Sequence, residues 1–283
     1  MNAAADFTDA ARRYGLAIDG PAVGDGAVHR VHVEGDRRGS RNGWYLLHLD
    51  GVPAGAFGSW KGGWRQTWHA GSASLSTSER MRLDAAVAAA KRRRAAEQRQ
   101  HWQDAAMAAQ AHWCAAGPAD AEHPYLRRKG VRAHGIRQSG NVLLVPMRDA
   151  DGTLWNLQSI AGDGTKRFRT GARKAGTYHA IGGPVCDVLL IAEGYATAAS
   201  LHEASGLPVA VAFDCGNLAP VARALRAKYP HARITLCADN DTGTPGNPGL
   251  TKARAAAVEV QGYVAIPPEG FNDFNDAARG VAA

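Results

Sequence analysis

Three sets of acidic residues stand where chemistry can be done. Glu193-Gly194 follows one apolar run, Asp239-Asn240-Asp241 follows another, and Asp273, Asn275 and Asp276 follow a third after Pro267-Pro268. Clustered carboxylates repel one another unless a cation neutralises them. Hard oxygen ligands of this kind suit Mg²⁺ or Mn²⁺, which keep waters and bind substrate phosphates. In Asp239-x-Asp241 both carboxylates point the same way if the backbone stays extended. As a calcium loop the stretch fails, because Leu250 stands where a glutamate is needed. A helix-capping role for Asp241 or Asp276 is the purely structural alternative. Gly194 leaves room for a sharp turn beside a phosphate or metal.

The elements that must hold these acids alternate. Val188–Ala192, Val209–Phe213, Ile234–Ala238 and Tyr263–Ile266 read as strands. Tyr195–Ser205, Leu218–Tyr229 and Leu250–Gln261 read as helices between them. Strands apolar throughout, alternating with helices, predict a parallel sheet covered on both faces. Sites in such sheets lie beyond the carboxyl ends of the strands, where the acids fall.

Upstream, Pro124–Gly130 reads as a short basic helix closing at Gly130. Asn141–Arg148, Thr153–Ile160 and Lys166–Arg169 read as a β-meander that brings Arg148, Gln158, Lys166, Arg167 and Arg169 onto neighbouring strands or turns. Ser76 to Ala116 is one long Ala-rich helix, with Ser76 and Glu79 as a capping box and Gly117-Pro118 as its stop. Lys91, Arg92, Arg93 and Arg94 form a basic collar around it, suited either to phosphate contact or to a solvated connector. The first 75 residues read as a small α+β unit with short strands and a hairpin at Asp50-Gly51. Trp60, Trp64 and Trp68 recur every four residues, but Gly62-Gly63 between them points to strand and turn. They would either stack nucleic-acid bases beside Lys61 and Arg65 or fill a small core. The division expected is 1–75, 76–117, 118–184 and 185–283.

Glu193-Gly194, then Asp239-x-Asp241 with Gly249 and Ala253, resembles the TOPRIM domain shared by bacterial-type primases, type IA and II topoisomerases and some nucleases. Tyr125-Leu126 with Gly130-Val131, Val145-Pro146-Met147-Arg148-Asp149 with Gly152, and Lys166-Arg167-Phe168 are similar to the preceding subdomain of the primase polymerase core. Asp273-Phe274-Asn275-Asp276 is similar to the ending seen in primases of plasmids, phages and conjugative elements. The implied fold is α/β: a TOPRIM Rossmann-like sheet, an α+β primase subdomain, a long helix and a small β-rich N-terminal unit.

The resemblance implies a DNA primase, a nucleotidyltransferase making short RNA primers on single-stranded DNA from NTPs. It implies Asp239 and Asp241 as metal ligands, Asp273 and Asp276 as further ligands, and Glu193 as ligand or general base. Arg148, Lys166 and Arg167 would hold template or nucleotide phosphates, with Lys252 reaching in from a helix. Arg92, Arg93, Arg94, Trp60 and Trp64 are candidates for further nucleic-acid contact. Mg²⁺ or Mn²⁺ is the expected cofactor. No zinc is expected, because the four cysteines have neither CxxC nor finger spacing. The chain lacks the P-loop pattern, so a helicase partner would be a separate chain or a missing segment. A TOPRIM nuclease and a non-catalytic binder of single strands are the alternatives.

Charge agrees with a polyanion partner. The formal net charge is +7, and from Asp187 onward ten acids face seven bases, which leaves +10 on the first 186 residues. No apolar run approaches the roughly 20 residues of a membrane span, and Met1 to Ala11 lacks a signal-peptide pattern, so a soluble cytoplasmic protein is expected.

Overall fold

The computed structural model describes residues 2–50, 52–70, 77–240 and 243–281. The chain forms two compact units, 1–95 and 96–283.

In the first unit, α1 (Ala3–Arg12) is capped by Asn2, whose side chain accepts from the Ala4 N–H. It lies on one face of an antiparallel sheet ordered β1 (Leu16–Ala17), β2 (His29–Val33), β3 (Gly43–His48), β4 (Ala54–Ser59) and β5 (Trp64–His69). Alternation decides the faces: Tyr45 and Leu47 are buried while Trp44, Leu46 and His48 are not. Phe7 of α1 enters the core between the rings of Tyr45, Phe57 and Trp68, with centroids 5.9, 5.7 and 5.4 Å away. The strand-and-turn reading of the tryptophans holds, with Gly63 at φ +67° in the β4–β5 turn. Gly51, in the expected Asp50-Gly51 hairpin, lies outside the described residues.

Helix α2 (Thr77–Ala115) is the expected long helix, and the division between the units falls within it. Ser76 of the expected capping box lies outside the described residues. In the second unit Ala109 and Trp113 pack on Leu144, Leu154 and Leu157. Those leucines belong to an antiparallel sheet of β6 (Gly117–Pro118), β7 (Arg137–Ser139), β8 (Val142–Arg148), β9 (Leu154–Ala161) and β10 (Lys166–Phe168). Between β6 and β7 runs α3 (Pro124–Lys129), ended by Gly130 at φ +62°.

The remaining elements are β11 (His179–Ile181), β12 (Val188–Ala192), α4 (Tyr195–Ser205), β13 (Val209–Val211), α5 (Leu218–Lys228), β14 (Arg233–Cys237), α6 (Pro248–Glu259), β15 (Tyr263–Ala265) and α7 (Phe274–Arg279). The sheet order is β11-β13-β12-β14-β15. The last four strands in sequence run parallel, as expected, and β11 adds an antiparallel edge. Both faces are covered: Leu190 and Ala192 pack towards Tyr195, Ala198 and Ala199 of α4, while Leu189 and Ile191 pack towards α5 and α6. Burial on both sides is why these strands read as unbroken apolar runs. Among the described residues, no helix is long and apolar enough to cross a membrane.

Candidate active site at the carboxyl edge of the parallel sheet

β12 and β14 are neighbours, with Ala192 opposite Cys237, so Glu193 and Asp239 leave the sheet on adjacent strand ends. Gly194 starts α4 in an extended conformation. The segment after β14 is tied down on its far side, where Asn240 N–H donates to the Asn272 carbonyl at 2.7 Å. Asn247 Nδ2 donates to Asn240 Oδ1 at 2.8 Å and draws in the start of α6. Gly249 marks how closely these parts approach. A Cβ there would lie 2.8 Å from the Asp239 carbonyl oxygen and 2.9 Å from Glu193 Oε1.

Lys166 reaches this edge from the antiparallel subdomain. Its Nζ lies 3.8 Å from where a Cβ on Gly194 would be, and 6.0 Å from the Tyr125 ring centroid. Its side chain is solvent-accessible but densely surrounded. That surround holds its pKa below the ordinary lysine value by desolvation first and the Lys129 charge second, against the opposing pull of Asp239 and Asp273. Tyr125 is pushed up to about 12 by burial and then by the Asp273 charge.

The third acidic set does structural work. Asp273 caps α7 by accepting the Asp276 N–H at 2.8 Å, and Asp276 pairs with Lys129 Nζ at 3.6 Å. Asn275 between them is fully buried, and its Nδ2 donates to the Lys129 carbonyl at 2.7 Å and to Ser200 Oγ at 2.9 Å. Lys129 and Asn275 therefore join α3, α4 and α7. Neither stands out in the sequence, because one ends a basic run and the other sits between two acids.

β13 also ends in an acid. Phe213 takes φ +74°, and Asp214 follows, accepting from the Asn217 N–H and from Lys174 Nζ. Burial raises the Cys215 thiol first, and the nearby Glu193 and Asp214 charges add to it. Asp214 went unnoticed in the sequence because it begins no acidic motif.

The other candidates lie elsewhere. Arg148 donates Nη1 to its own hairpin, at the Gly152 carbonyl 2.8 Å away. Arg167 alternates with Lys166 on β10 and is exposed, and Lys252 is exposed on α6. Tyr195 is structural: its buried hydroxyl donates to the Arg132 carbonyl at 2.8 Å and accepts the His134 N–H at 2.6 Å. Arg92 to Arg94 are exposed on α2 in the first unit, where Arg94 donates to the Gly26 carbonyl. Trp60 is 50% exposed, whereas Trp64 lies half-buried against the core, 5.7 Å from the Tyr14 ring. Asp241 lies outside the described residues.

Among the described residues, no group of three or more His, Cys, Asp or Glu side chains is placed to hold a metal ion. The donor chemistry nevertheless fits Mg²⁺ or Mn²⁺. Two carboxylates stand on adjacent strand ends, and a hydrogen-only residue at Gly249 keeps space between the Glu193 carboxylate and the Asp239 backbone. An ion that keeps several waters needs few protein ligands.

A largely parallel sheet with helices on both faces and acids at its carboxyl edge has its ligand-binding position beyond those strand ends. Residues 188–283 match the family model of the Toprim domain. Over 277 residues, 93% of its length, the chain is 38% identical to DNA primase TraC of Escherichia coli, and a second Escherichia coli DNA primase TraC is 38% identical over 278 residues. The chain spans only 26% and 19% of the lengths of these curated relatives. Among solved structures it is similar to the primase fragment of the bacteriophage T7 primase-helicase (16% identity, TM-score 0.40, covering 56% of this chain and 65% of that one). It is also similar to the DnaG catalytic core (13% identity, TM-score 0.42, covering 66% and 76%).

Proposed function

We propose that this chain is the catalytic part of a DNA primase, a nucleotidyltransferase that joins ribonucleotides on a single-stranded DNA template in the cytoplasm. The observation that carries the reading is the approach of Lys166, from the antiparallel subdomain, to Gly194 at the strand end that bears Glu193, where the Asp239 charge also acts on it. The 38% identity to DNA primase TraC over 93% of this chain supports it. The proposed working halves are 118–184 and 185–283, with 76–117 as connector and 1–75 as an accessory unit.

In the reaction a primer 3′-hydroxyl oxygen bonds to the α-phosphorus of an NTP, the bond to the β-phosphate oxygen breaks, and pyrophosphate leaves. Asp239, with Asp241, would hold Mg²⁺ or Mn²⁺; Glu193 would either join them or take the hydroxyl proton. The bound ion would stabilise charge on the attacking and leaving oxygens. Lys166 is placed to bind and orient a phosphate group, and Lys129 behind it adds positive potential. Asp273 and Asp276 are proposed to act through Lys129 and α7 rather than as ligands. Arg148, Arg167 and Lys252 would contact template or nucleotide only on its outer path. A replicative helicase, on a separate chain or a further segment, is the proposed partner.

The test is primer synthesis on single-stranded DNA with labelled NTPs and Mg²⁺ or Mn²⁺, using Asp239→Asn as control. Short RNA products lost in the variant support the reading. DNA cleavage without NTPs, or salt-sensitive DNA binding without synthesis on any template, overturns it.

A further inference from the structure

The first unit carries a surface that the carboxylate edge does not explain. Among the described residues, the buried apolar cluster of this unit lies on the sheet face against α1, while Arg30 and Arg65 on the other face are exposed. Across the other face, Arg30 of β2, Trp44 of β3, Gly58 of β4 and Arg65 of β5 are register partners and form one row. A Cβ at Gly58 would lie 3.1 Å from Trp44 Nε1, so the indole edge reaches over a residue with no side chain. Trp60, just past β4, stands at the rim of this row, half exposed, with its ring 6.0 Å from Trp44 and tilted by 34°. The Arg30 guanidinium sits 4.7 Å above the Trp60 ring.

The charges on this face have one sign. β2 to β5 contain no acidic residue, and the open face adds His32, His48 and His69 to the two arginines. At the rim Glu34 follows β2, and Asp36 is already engaged by Lys61 at 2.5 Å and Asn42 at 3.0 Å. Two indoles, a stacked guanidinium and a low shelf between cations match flat π-faced bases on an anionic backbone.

We infer that the open face of the N-terminal sheet binds single-stranded nucleic acid, with Trp44 and Trp60 stacking bases and Arg30 and Arg65 contacting phosphates. Trp64 is not part of this surface. The inference goes beyond primer synthesis and stands without it.

The test uses the full chain in EDTA without NTPs, so that binding is read apart from catalysis. Labelled oligo(dT) and oligo(rU) are titrated by fluorescence anisotropy, and iodouracil-substituted oligo(dT) is photocrosslinked and the attached residues mapped by mass spectrometry. Trp60→Ala weakens binding about tenfold, as loss of one stacked base requires, and Trp60→Phe restores most of it. Arg30→Ala reduces the slope of log affinity against log salt by about one. Crosslinks fall at Trp44 or Trp60, and loss of oligo(rU) binding in the same variants supports the inference equally. Unchanged affinity in Trp60→Ala and Arg30→Ala, with crosslinks confined to residues outside 29–69, overturns it. Variants that lose binding in a chain that makes no primers would sink only the primase reading. Unaffected binding in a chain that makes primers would sink only this inference.

Discussion

The N-terminal sheet and the C-terminal, largely parallel sheet each have five strands, yet they offer side chains in different places. The C-terminal sheet has helices on both faces, so its parallel strands carry mainly apolar residues inward, and the acids fall at the strand ends. Glu193, Asp214 and Asp239 are all such end residues. The N-terminal sheet has one helix and one open face, so every second residue along its strands is available. Arg30, Trp44 and Arg65 use that freedom. A covered sheet concentrates a few groups at an edge, which suits a reaction; an open sheet spreads them over an area, which suits grip on an extended strand.

Substitutions at the edge and on the face should separate these two modes. Glu193→Gln and Asp239→Asn should each lower primer synthesis at least about 100-fold, as expected for removing a charge-stabilising group. Their melting temperatures should be unchanged or higher, because a repulsive charge has gone. Synthesis surviving in both would break the comparison at its catalytic end. Trp64→Ala should cost about 3 kcal/mol in urea unfolding of the N-terminal unit, whereas Trp60→Ala should cost under about 0.5 kcal/mol. Equal costs would mean that the two faces are not distinct. Gly249→Ala should cut synthesis about tenfold with the chain still folded, since the methyl group would displace the Glu193 carboxylate and a misplacement of about 1 Å is enough. Asn275→Ala should cost about 1–2 kcal/mol by leaving buried partners unsatisfied, read from the denaturant midpoint of the C-terminal unit.

What the sequence disclosed follows from the same contrast. β12, β13 and β14 were legible because burial on both faces makes their apolar runs nearly continuous, and β15 was legible as a short apolar run at the edge. β6, β7 and β11 were not, because edge strands of two or three residues leave no periodic pattern. The acids at strand ends were visible as a set, but their roles were not. Asp273 and Asp276 are three residues apart, and that spacing serves a helix cap as well as a ligand pair. Trp60 and Trp64 looked equivalent until the turn was defined. Trp64 pairs with Ser59 and shares its inward face, so Trp60, one residue further, falls on the other side. Lys166 was legible as a basic residue near the site, but its approach to Gly194 depends on how the meander meets the parallel sheet.

The small strand β11 also sets an acid limit. His179 is buried there, and its ring Nε2 donates to the His134 carbonyl at 2.8 Å. Burial drives its pKa down to about 4, although that hydrogen bond pulls the other way. A free histidine titrates near about 6.5, so on acidification the unfolded chain takes up this proton before the folded one does. Stability is therefore full above about pH 6.5 and falls by roughly 3 kcal/mol as the pH drops to about 4. Protonation of His179 would strain the seam where β11 and the His134 carbonyl meet.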